Sequence, residues 1–378
     1  MRYRKIGKLP IKASALGFGM MRLPKKFDEK LGKEVADEEE AIKNMRWAID
    51  HGVTYIDTAY MYMDNLSEGI VGKGLKDGYR EKVVVATKSP LSKYENEGSF
   101  EKILEEQLRK LDIDCIDLYL LHAVNAEFYR ERVLGYGIFD KMRKAKADGK
   151  IKYMGFSFHD DLDTFKEVVD AFEWDFCQIQ LNYFDTDYQA GLEGLKYAAD
   201  RGLGVIIMEP LRGGFLANLP ENIEKIFKDA GLNPIQAALD FLWDRPEVSV
   251  VLSGMSTLEQ VKDNVKYAGE SSVGKLGEKE KEVLKQARRA LVEMDTVPCT
   301  ACNYCNICPQ RIAIPKVFEA ANIYYSQKNL AKAKDAYKAV SEFGENGSAC
   351  IGCQACEGVC PQHIGISTLM PKLDELLG

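Results

Sequence analysis

At 378 residues the chain is long enough for one large α/β domain and a small second one. Its 46% hydrophobic and 29% charged residues are those of an ordinary globular protein, and a net charge of −7 offers no basic field for nucleic acid. No apolar run reaches the length of a membrane span. Behind the basic start Met1-Arg2-Tyr3-Arg4-Lys5 there is no signal-peptide core. A cytoplasmic protein without nucleic-acid or membrane partners is expected.

Residues 2–11 alternate polar and apolar around Gly7 and Pro10, which predicts a short hairpin. A rhythm of apolar run, loop and amphipathic helix follows. Eight short runs read as buried parallel strands, near residues 13–17, 53–57, 83–87, 116–121, 152–156, 176–180, 204–208 and 248–252. Helical spacing occupies residues 38–51, 100–111, 161–172, 191–201, 234–243 and 258–267, with Pro234 suited to a first turn. Residues 128–138 are expected as a loop that shapes a pocket. Parallel strands need crossover helices and closure removes sheet edges, so eight alternations predict a (β/α)8 TIM barrel. A doubly wound sheet is the weaker alternative, because no Gly-x-Gly-x-x-Gly follows the first strand. Residues 275–294 read as an exit helix. The expected domains are a barrel over 1–275, a helical linker over 276–297 and a small α-helical domain over 298–378, with helical spacing at 315–326 and 330–343.

Ten cysteines are present, and eight crowd into two arrays: Cys299-x2-Cys302-x2-Cys305-x2-Cys308-Pro309, and Cys350-x2-Cys353-x2-Cys356-x3-Cys360-Pro361. This is ligand spacing rather than disulfide spacing. Three close thiolates wrap one [4Fe-4S] cluster and the cysteine before proline reaches the other. That pattern places Cys299, Cys302, Cys305 and Cys360 on one cluster, and Cys350, Cys353, Cys356 and Cys308 on the second. Structural zinc is the competing assignment, disfavoured because four cysteines fall within ten residues instead of in two separated pairs.

The barrel strands carry a second constellation. The run Val53-Thr54-Tyr55-Ile56 closes on Asp57, Tyr62 follows five residues later, and later strands end in Lys88 and His122. Strand ends are where a barrel builds its site. Carbonyl reduction needs a proton donor and groups that stabilise developing charge. A free tyrosine, with pKa about 10, is a poor donor near neutrality, but a nearby ammonium favours its phenolate and a carboxylate holds the ammonium. Tyr62, Lys88 and Asp57 fit those roles, and an imidazole at 122 can hydrogen-bond the substrate oxygen or the phenol.

Asp57, Tyr62, Lys88 and His122, in that order at strand ends, resemble the catalytic tetrad of the aldo-keto reductases. The resemblance extends over about residues 1–270. Glu68-Gly69-Ile70-Val71-Gly72 resembles that family's helix start after the Tyr loop. Gly155-Phe156-Ser157-Phe158-His159 implies that Ser157 holds a nicotinamide carboxamide, and Gln178-Ile179-Gln180-Leu181-Asn182-Tyr183 implies the same of Gln180, with Asn182 beside it. The loop Glu209-Pro210-Leu211-Arg212-Gly213-Gly214 can bring backbone N–H groups and a guanidinium to a pyrophosphate. By resemblance, Gly254, Ser256, Gln260 and Asn264 line the adenosine end.

Many relatives place a basic residue where this chain has Gln260, and without that cation a 2′-phosphate loses a charge-assisted bond, so the expected nucleotide is NADP or NAD. Arg22 could meet an anionic substrate, or be a surface arginine. The cysteine tail resembles the α-helical ferredoxin-like modules of reductase electron-transfer subunits, and the whole chain resembles the iron–sulfur-containing branch of the family. Two functions are weighed. The first is an oxidoreductase passing hydride between NAD(P)H and a carbonyl or alcohol, its two clusters serving electron transfer to a redox partner protein, or structure. The second is an iron–sulfur carrier or sensor whose barrel binds nucleotide or a partner without carbonyl turnover.

Overall fold

Eight parallel strands pair in sequence order and close on themselves in the computed structural model, which describes residues 1–30 and 32–378. They are β1 (Leu16–Gly19), β2 (Tyr55–Asp57), β3 (Val84–Pro90), β4 (Ile116–Val124), β5 (Ile151–Phe158), β6 (Phe176–Gln180), β7 (Gly204–Met208) and β8 (Val248–Gly254). Helices with one apolar face connect them, as a parallel barrel requires. Helix Ser99–Leu111 buries Phe100, Ile103, Leu104, Leu108 and Leu111 along one side. Side chains start several of these helices: Asp161 accepts the Thr164 N–H at 2.8 Å and Thr257 accepts that of Gln260 at 3.3 Å. By contacts the chain divides into two compact units, residues 1–210 with 239–276, and residues 211–238 with 277–378.

In the first unit, the barrel interior is filled by Tyr55, Ala86, Leu118, Leu120, Phe176, Ile206, Val250 and Leu252, joined by Ile6, Leu9 and Ala13. The last three come from an N-terminal hairpin, Tyr3–Lys5 paired antiparallel with Lys12–Ser14. Its turn reaches the start of β7, where a Cβ on Gly7 would lie 2.3 Å from the Gly204 nitrogen, and Gly7 has φ +50. The expected first strand at 13–17 is therefore two elements. At Ser14 the ladder is interrupted by side chains: its N–H donates to Thr54 Oγ1 at 2.9 Å and its hydroxyl to the Leu16 carbonyl at 2.6 Å. The chain then changes partners and enters the barrel at Leu16.

Alternation along the strands aims the chemistry. Tyr55 and Asp57 share the inward face of β2, as do Ala86 and Lys88 on β3, Leu118, Leu120 and His122 on β4, and Phe176, Gln178 and Gln180 on β6. The apolar member of each set lies toward the strand's N-terminal end and the polar member one or two pleats further on. The register steps these polar residues on by two positions from strand to strand, with Asp57 opposite Ala86, Lys88 opposite Leu120 and Pro90 opposite His122.

In the second unit, helices Ile314–Gln327, Leu330–Lys338 and Ile366–Leu377 bury Val317, Phe318, Ala321, Tyr337, Met370 and Leu373 together with Cys305 and Cys356. The exit helix runs Glu278–Val292, and the helix expected to reach 343 tightens after Lys338 into a short turn, Ala339–Glu342. Helices Glu221–Asp229 and Ile366–Leu377 were not expected from periodicity, nor in the first unit Ile138–Ala147 or the polar hairpin Lys25–Asp28 with Lys33–Ala36. Residues 128–138 are not an open loop: Ala126–Phe128 and Tyr129–Leu134 are helical, started by Asn125, which accepts the Phe128 N–H at 2.8 Å. Among the described residues no helix is long and apolar enough to cross a membrane.

Candidate active site and the cysteine arrays

Lys88 is wholly buried, and its ammonium donates to Asp57 Oδ1 at 2.5 Å and to the Thr58 carbonyl at 2.9 Å. The same ammonium lies 4.7 Å from the centre of the Tyr62 ring, and that ring meets His122 edge-on with centroids 5.8 Å apart. The four residues picked out at strand ends thus converge at the C-terminal end of β2, β3 and β4. Tyr62 is delivered by a tight loop: Met63, Asp64 and Asn65 all have positive φ, and helix Ser67–Gly74 begins directly after. Ser67 ties that loop down, sharing a 2.7 Å hydrogen bond with Thr58 Oγ1 and donating to the Met20 carbonyl at 2.9 Å.

Burial raises the Asp57 carboxyl and lowers the Lys88 ammonium from their ordinary ranges, and the attraction between them opposes both shifts. At contact distance, with a second hydrogen bond to Thr58, the charged pair is the state the geometry supports. His122 is held well below the usual imidazole range by burial and then by the Lys88 charge, so it stands neutral near pH 7 and keeps one ring N–H to donate.

Behind β3 lies a buried polar network that sequence reasoning did not find. Glu68 Oε1 accepts from the Thr87 hydroxyl and from Gln107 Nε2, both at 2.6 Å. Gln107 also donates to the Lys88 carbonyl at 3.0 Å, and Tyr119 donates to Gln107 Oε1 at 2.7 Å. Glu68, Thr87, Gln107 and Lys88 are all fully buried. The signal was present, since Gln107 is a polar residue on the apolar face of its helix.

The candidate nucleotide residues fall into different situations. Ser157 Oγ accepts the Ala123 N–H at 2.8 Å, joining β5 to the residue after His122. Gln180 Nε2 and Asn182 Nδ2 donate to Asp185 Oδ2 at 3.2 and 3.1 Å, and Asn182 Oδ1 accepts the Phe184 and Asp185 N–H groups. Asp185, unnoticed in the sequence, fixes both amides. The carbonyl oxygen of Gln180 is buried without a protein donor, which leaves an acceptor matched to an amide N–H. Asn264 is buried, with Nδ2 on Ser253 Oγ at 3.0 Å, and Gln260 bends back to accept the Ser256 N–H at 2.8 Å. Arg22 lies against the end of β8: a Cβ on Gly254 would be 3.3–3.5 Å from its side-chain carbons, and Ser256 Oγ donates to its carbonyl at 3.0 Å. Leu211, Arg212 and Gly213 belong to the second unit, with Arg212 buried.

Among the described residues no disulfide joins any of the ten cysteines. Cys299, Cys302, Cys305 and Cys360 line one cavity of the second unit, and Cys308, Cys350, Cys353 and Cys356 line another, with about the same open space (≈ 320 and ≈ 300 Å³). The crossed sets are those that the spacing suggests. Among the described residues no three His, Cys, Asp or Glu side chains group as ligands of one metal ion. Each quartet lines a single cavity, as the four thiolate ligands of one cluster must. Burial and the neighbouring sulfurs push the Cys305 thiol up to about 12 and burial pushes Cys356 up to about 11, so thiolates here call for a bound cationic centre.

Comparison with known proteins adds independent findings. The model of the Aldo/keto reductase family matches residues 15–279, and that of a 4Fe-4S dicluster domain matches residues 298–364. L-galactose dehydrogenase of Arabidopsis thaliana is 30% identical over 284 residues, covering 69% of this chain and 86% of that protein. A probable aldo-keto reductase 1 of Glycine max is 27% identical over 298 residues, covering 69% and 82%. Among solved structures, aldo-keto reductase AKR11C1 from Bacillus halodurans in its holo form is 25% identical with a TM-score of 0.63, covering 76% of this chain and 96% of that one.

Proposed function

The chain belongs to the aldo/keto reductase family and joins that oxidoreductase barrel to a 4Fe-4S dicluster domain, and from that premise we propose that it transfers hydride between NAD(P)H and a carbonyl or alcohol. The reading is carried by one observation, the Lys88 ammonium gripped by Asp57 and set 4.7 Å from the Tyr62 ring. When bound, the nicotinamide supplies or accepts the hydride. Tyr62 gives its proton to the carbonyl oxygen as that oxygen gains charge, leaving an alcohol and a phenolate. Lys88 stabilises the phenolate, Asp57 holds the ammonium, and neutral His122 donates a hydrogen bond to the same oxygen. In the reverse direction the phenolate takes the alcohol proton.

Ser157 and Gln180 are assigned to the nicotinamide carboxamide, with Asn182 fixing Gln180 through Asp185. Leu211, Arg212 and Gly213 are assigned to the pyrophosphate, and Gly254, Ser256, Gln260 and Asn264 to the adenosine end. Gln260 is engaged with Ser256 and brings no cation, which supports NAD as well as NADP. We assign one [4Fe-4S] cluster to Cys299, Cys302, Cys305 and Cys360, and another to Cys308, Cys350, Cys353 and Cys356, within a C-terminal domain of residues 298–378 that follows a barrel of residues 1–275. The substrate is a small molecule; since one relative is an L-galactose dehydrogenase, aldoses head the panel to be tried.

Tyr62→Phe is the decisive variant. Loss of one positioned acid should cut kcat by about 10²–10⁴ while nucleotide affinity persists, read by stopped-flow turnover and fluorescence titration under anaerobic conditions. Undiminished turnover in Tyr62→Phe would reject the mechanism.

A further inference from the structure

The connection after β7 is built unlike a free loop. Arg212, Gly213 and Gly214 take φ +47, +67 and +101, three left-handed residues in a row. The two glycines take this conformation freely, so the strain falls on Arg212. A Cβ on Gly213 would lie 2.4 Å from the Thr300 carbonyl oxygen and 2.9 Å from its carbonyl carbon and Cα, so here two backbones are in direct contact. A Cβ on Gly214 would meet nothing within 4 Å. Thr300 is buried, stands between Cys299 and Cys302, and lines the same cavity as Cys299, Cys302, Cys305 and Cys360. Further on, helix Glu221–Asp229 packs on helix Glu278–Val292, and Lys279 Nζ donates to the Ala230 carbonyl at 2.8 Å. The whole stretch 211–238 is thereby held in the cysteine-bearing unit.

We propose that Thr300 is a positioning residue for the Arg212–Gly213–Gly214 loop, and that nucleotide binding is thermodynamically linked to the oxidation state of the cluster held by Cys299, Cys302, Cys305 and Cys360. The inference rests on the assignment of that loop to the pyrophosphate. Its sign follows from charge. One-electron reduction adds a negative charge to the cluster beside Thr300, and a pyrophosphate seated on the loop is itself anionic. Nucleotide therefore binds the oxidised form more tightly, and by reciprocity bound nucleotide makes the cluster harder to reduce. A tenfold difference in Kd corresponds to a midpoint shift of about 59 mV for one electron.

The test uses full-length, anaerobically purified holoprotein and ADP-ribose with its 2′-phosphorylated form, which carry the pyrophosphate and no nicotinamide, so hydride chemistry is excluded. Cluster midpoints are followed by EPR-monitored potentiometry with and without probe, and probe affinity is measured for oxidised and dithionite-reduced protein. The expected result is a negative shift of one cluster's midpoint, about 59 mV, matched by about tenfold weaker binding to reduced protein. The shift should vanish in Gly213→Ala, read at a probe concentration that saturates the variant, because the added Cβ meets the Thr300 backbone. Binding with both midpoints unmoved, or a shift retained in Gly213→Ala, overturns the linkage but leaves the nucleotide assignment standing. If neither these probes nor NAD(P)+ binds, both fall. Should Gly213→Ala fail to fold, the wild-type midpoints alone decide.

Discussion

Glu68 is a carboxylate with no place in the proton path, yet it is fully buried and bonded to Thr87 and Gln107, the latter holding the Lys88 carbonyl. Burial raises its pKa against those two hydrogen bonds, so its acceptor oxygen matters more than its charge. Glu68→Gln, which keeps an acceptor there, should cost no more than about 1 kcal/mol. Glu68→Ala strands two buried donors and should cost about 2–4 kcal/mol, with kcat/KM falling about tenfold as the Lys88 segment loosens; urea unfolding and steady-state kinetics on both variants decide this. His122 makes a different prediction. It stays neutral in the fold, whereas an unfolded-chain histidine titrates near 6.5. Below about pH 6.5 the unfolded state binds the extra proton, so the contribution is full above that pH and declines below it, by up to about 1.4 kcal/mol per pH unit. His122→Gln should flatten this acid-side loss, measured by urea unfolding at pH 5.5 and 7.5. At this scale Asp57, Lys88 and His122 were legible because alternation on parallel strands fixes which residues reach the C-terminal end, whereas Tyr62, on a loop, was named by its place in the resemblance. Gln107 was marked only by being polar on an apolar helix face, and Asp185 only by following Gln180 and Asn182 by five and three residues; neither position names the bond it makes.

Helix Ser67–Gly74 shows why an isolated motif can encode an approach of two elements. Glu68 and Gly72 are four residues apart on one face, and so are Gln107 and Leu111 on helix Ser99–Leu111. Glu68 bonds Gln107, while a Cβ on Gly72 would lie 2.7 Å from the carbonyl oxygens of Lys110 and Leu111. The glycine thus permits the contact that the glutamate exploits. Gly72→Ala should force the helices apart, lower stability by about 1–3 kcal/mol, and reduce turnover by the same route as Glu68→Ala; unchanged unfolding midpoint and kinetics would refute this account. Elements were readable wherever the hydrophobic period was long. Helix Pro234–Trp243 and strands β6 and β7 fall within their expected bounds. The strand pair Lys25–Asp28 with Lys33–Ala36 is mostly exposed and polar, so no apolar alternation announced it. The split at Ser14 was equally hidden, since it depends on hydrogen bonds with Thr54, forty residues away.

For the whole molecule, the division of the chain differs from the order of its sequence. Composition and cysteine spacing separate a barrel from a tail near residue 276, but the contacts group residues 211–238 with 277–378. The core of that second unit contains Cys305 and Cys356 among Val317, Phe318, Met370 and Leu373, so its packing includes the expected cluster ligands themselves. Where ligands sit inside a small core, metal-binding free energy is folding free energy, and removing the metal loosens the core. The barrel interior of Tyr55, Leu118, Phe176 and Val250 contains none of those cysteines and should keep its own packing. Hydrogen exchange on the full chain before and after cluster removal by an iron chelator under mild oxidation distinguishes the two partitions. Amides of residues 299–378 should lose protection in either case, while those of β2 to β6 keep it. The informative segment is 221–229. If it exchanges in step with the cysteine-bearing residues, the unit defined by contacts is also a unit of stability. If it stays as protected as β6, residues 211–238 belong energetically to the barrel, and the contact between Gly213 and Thr300 cannot transmit the state of a cluster to the loop.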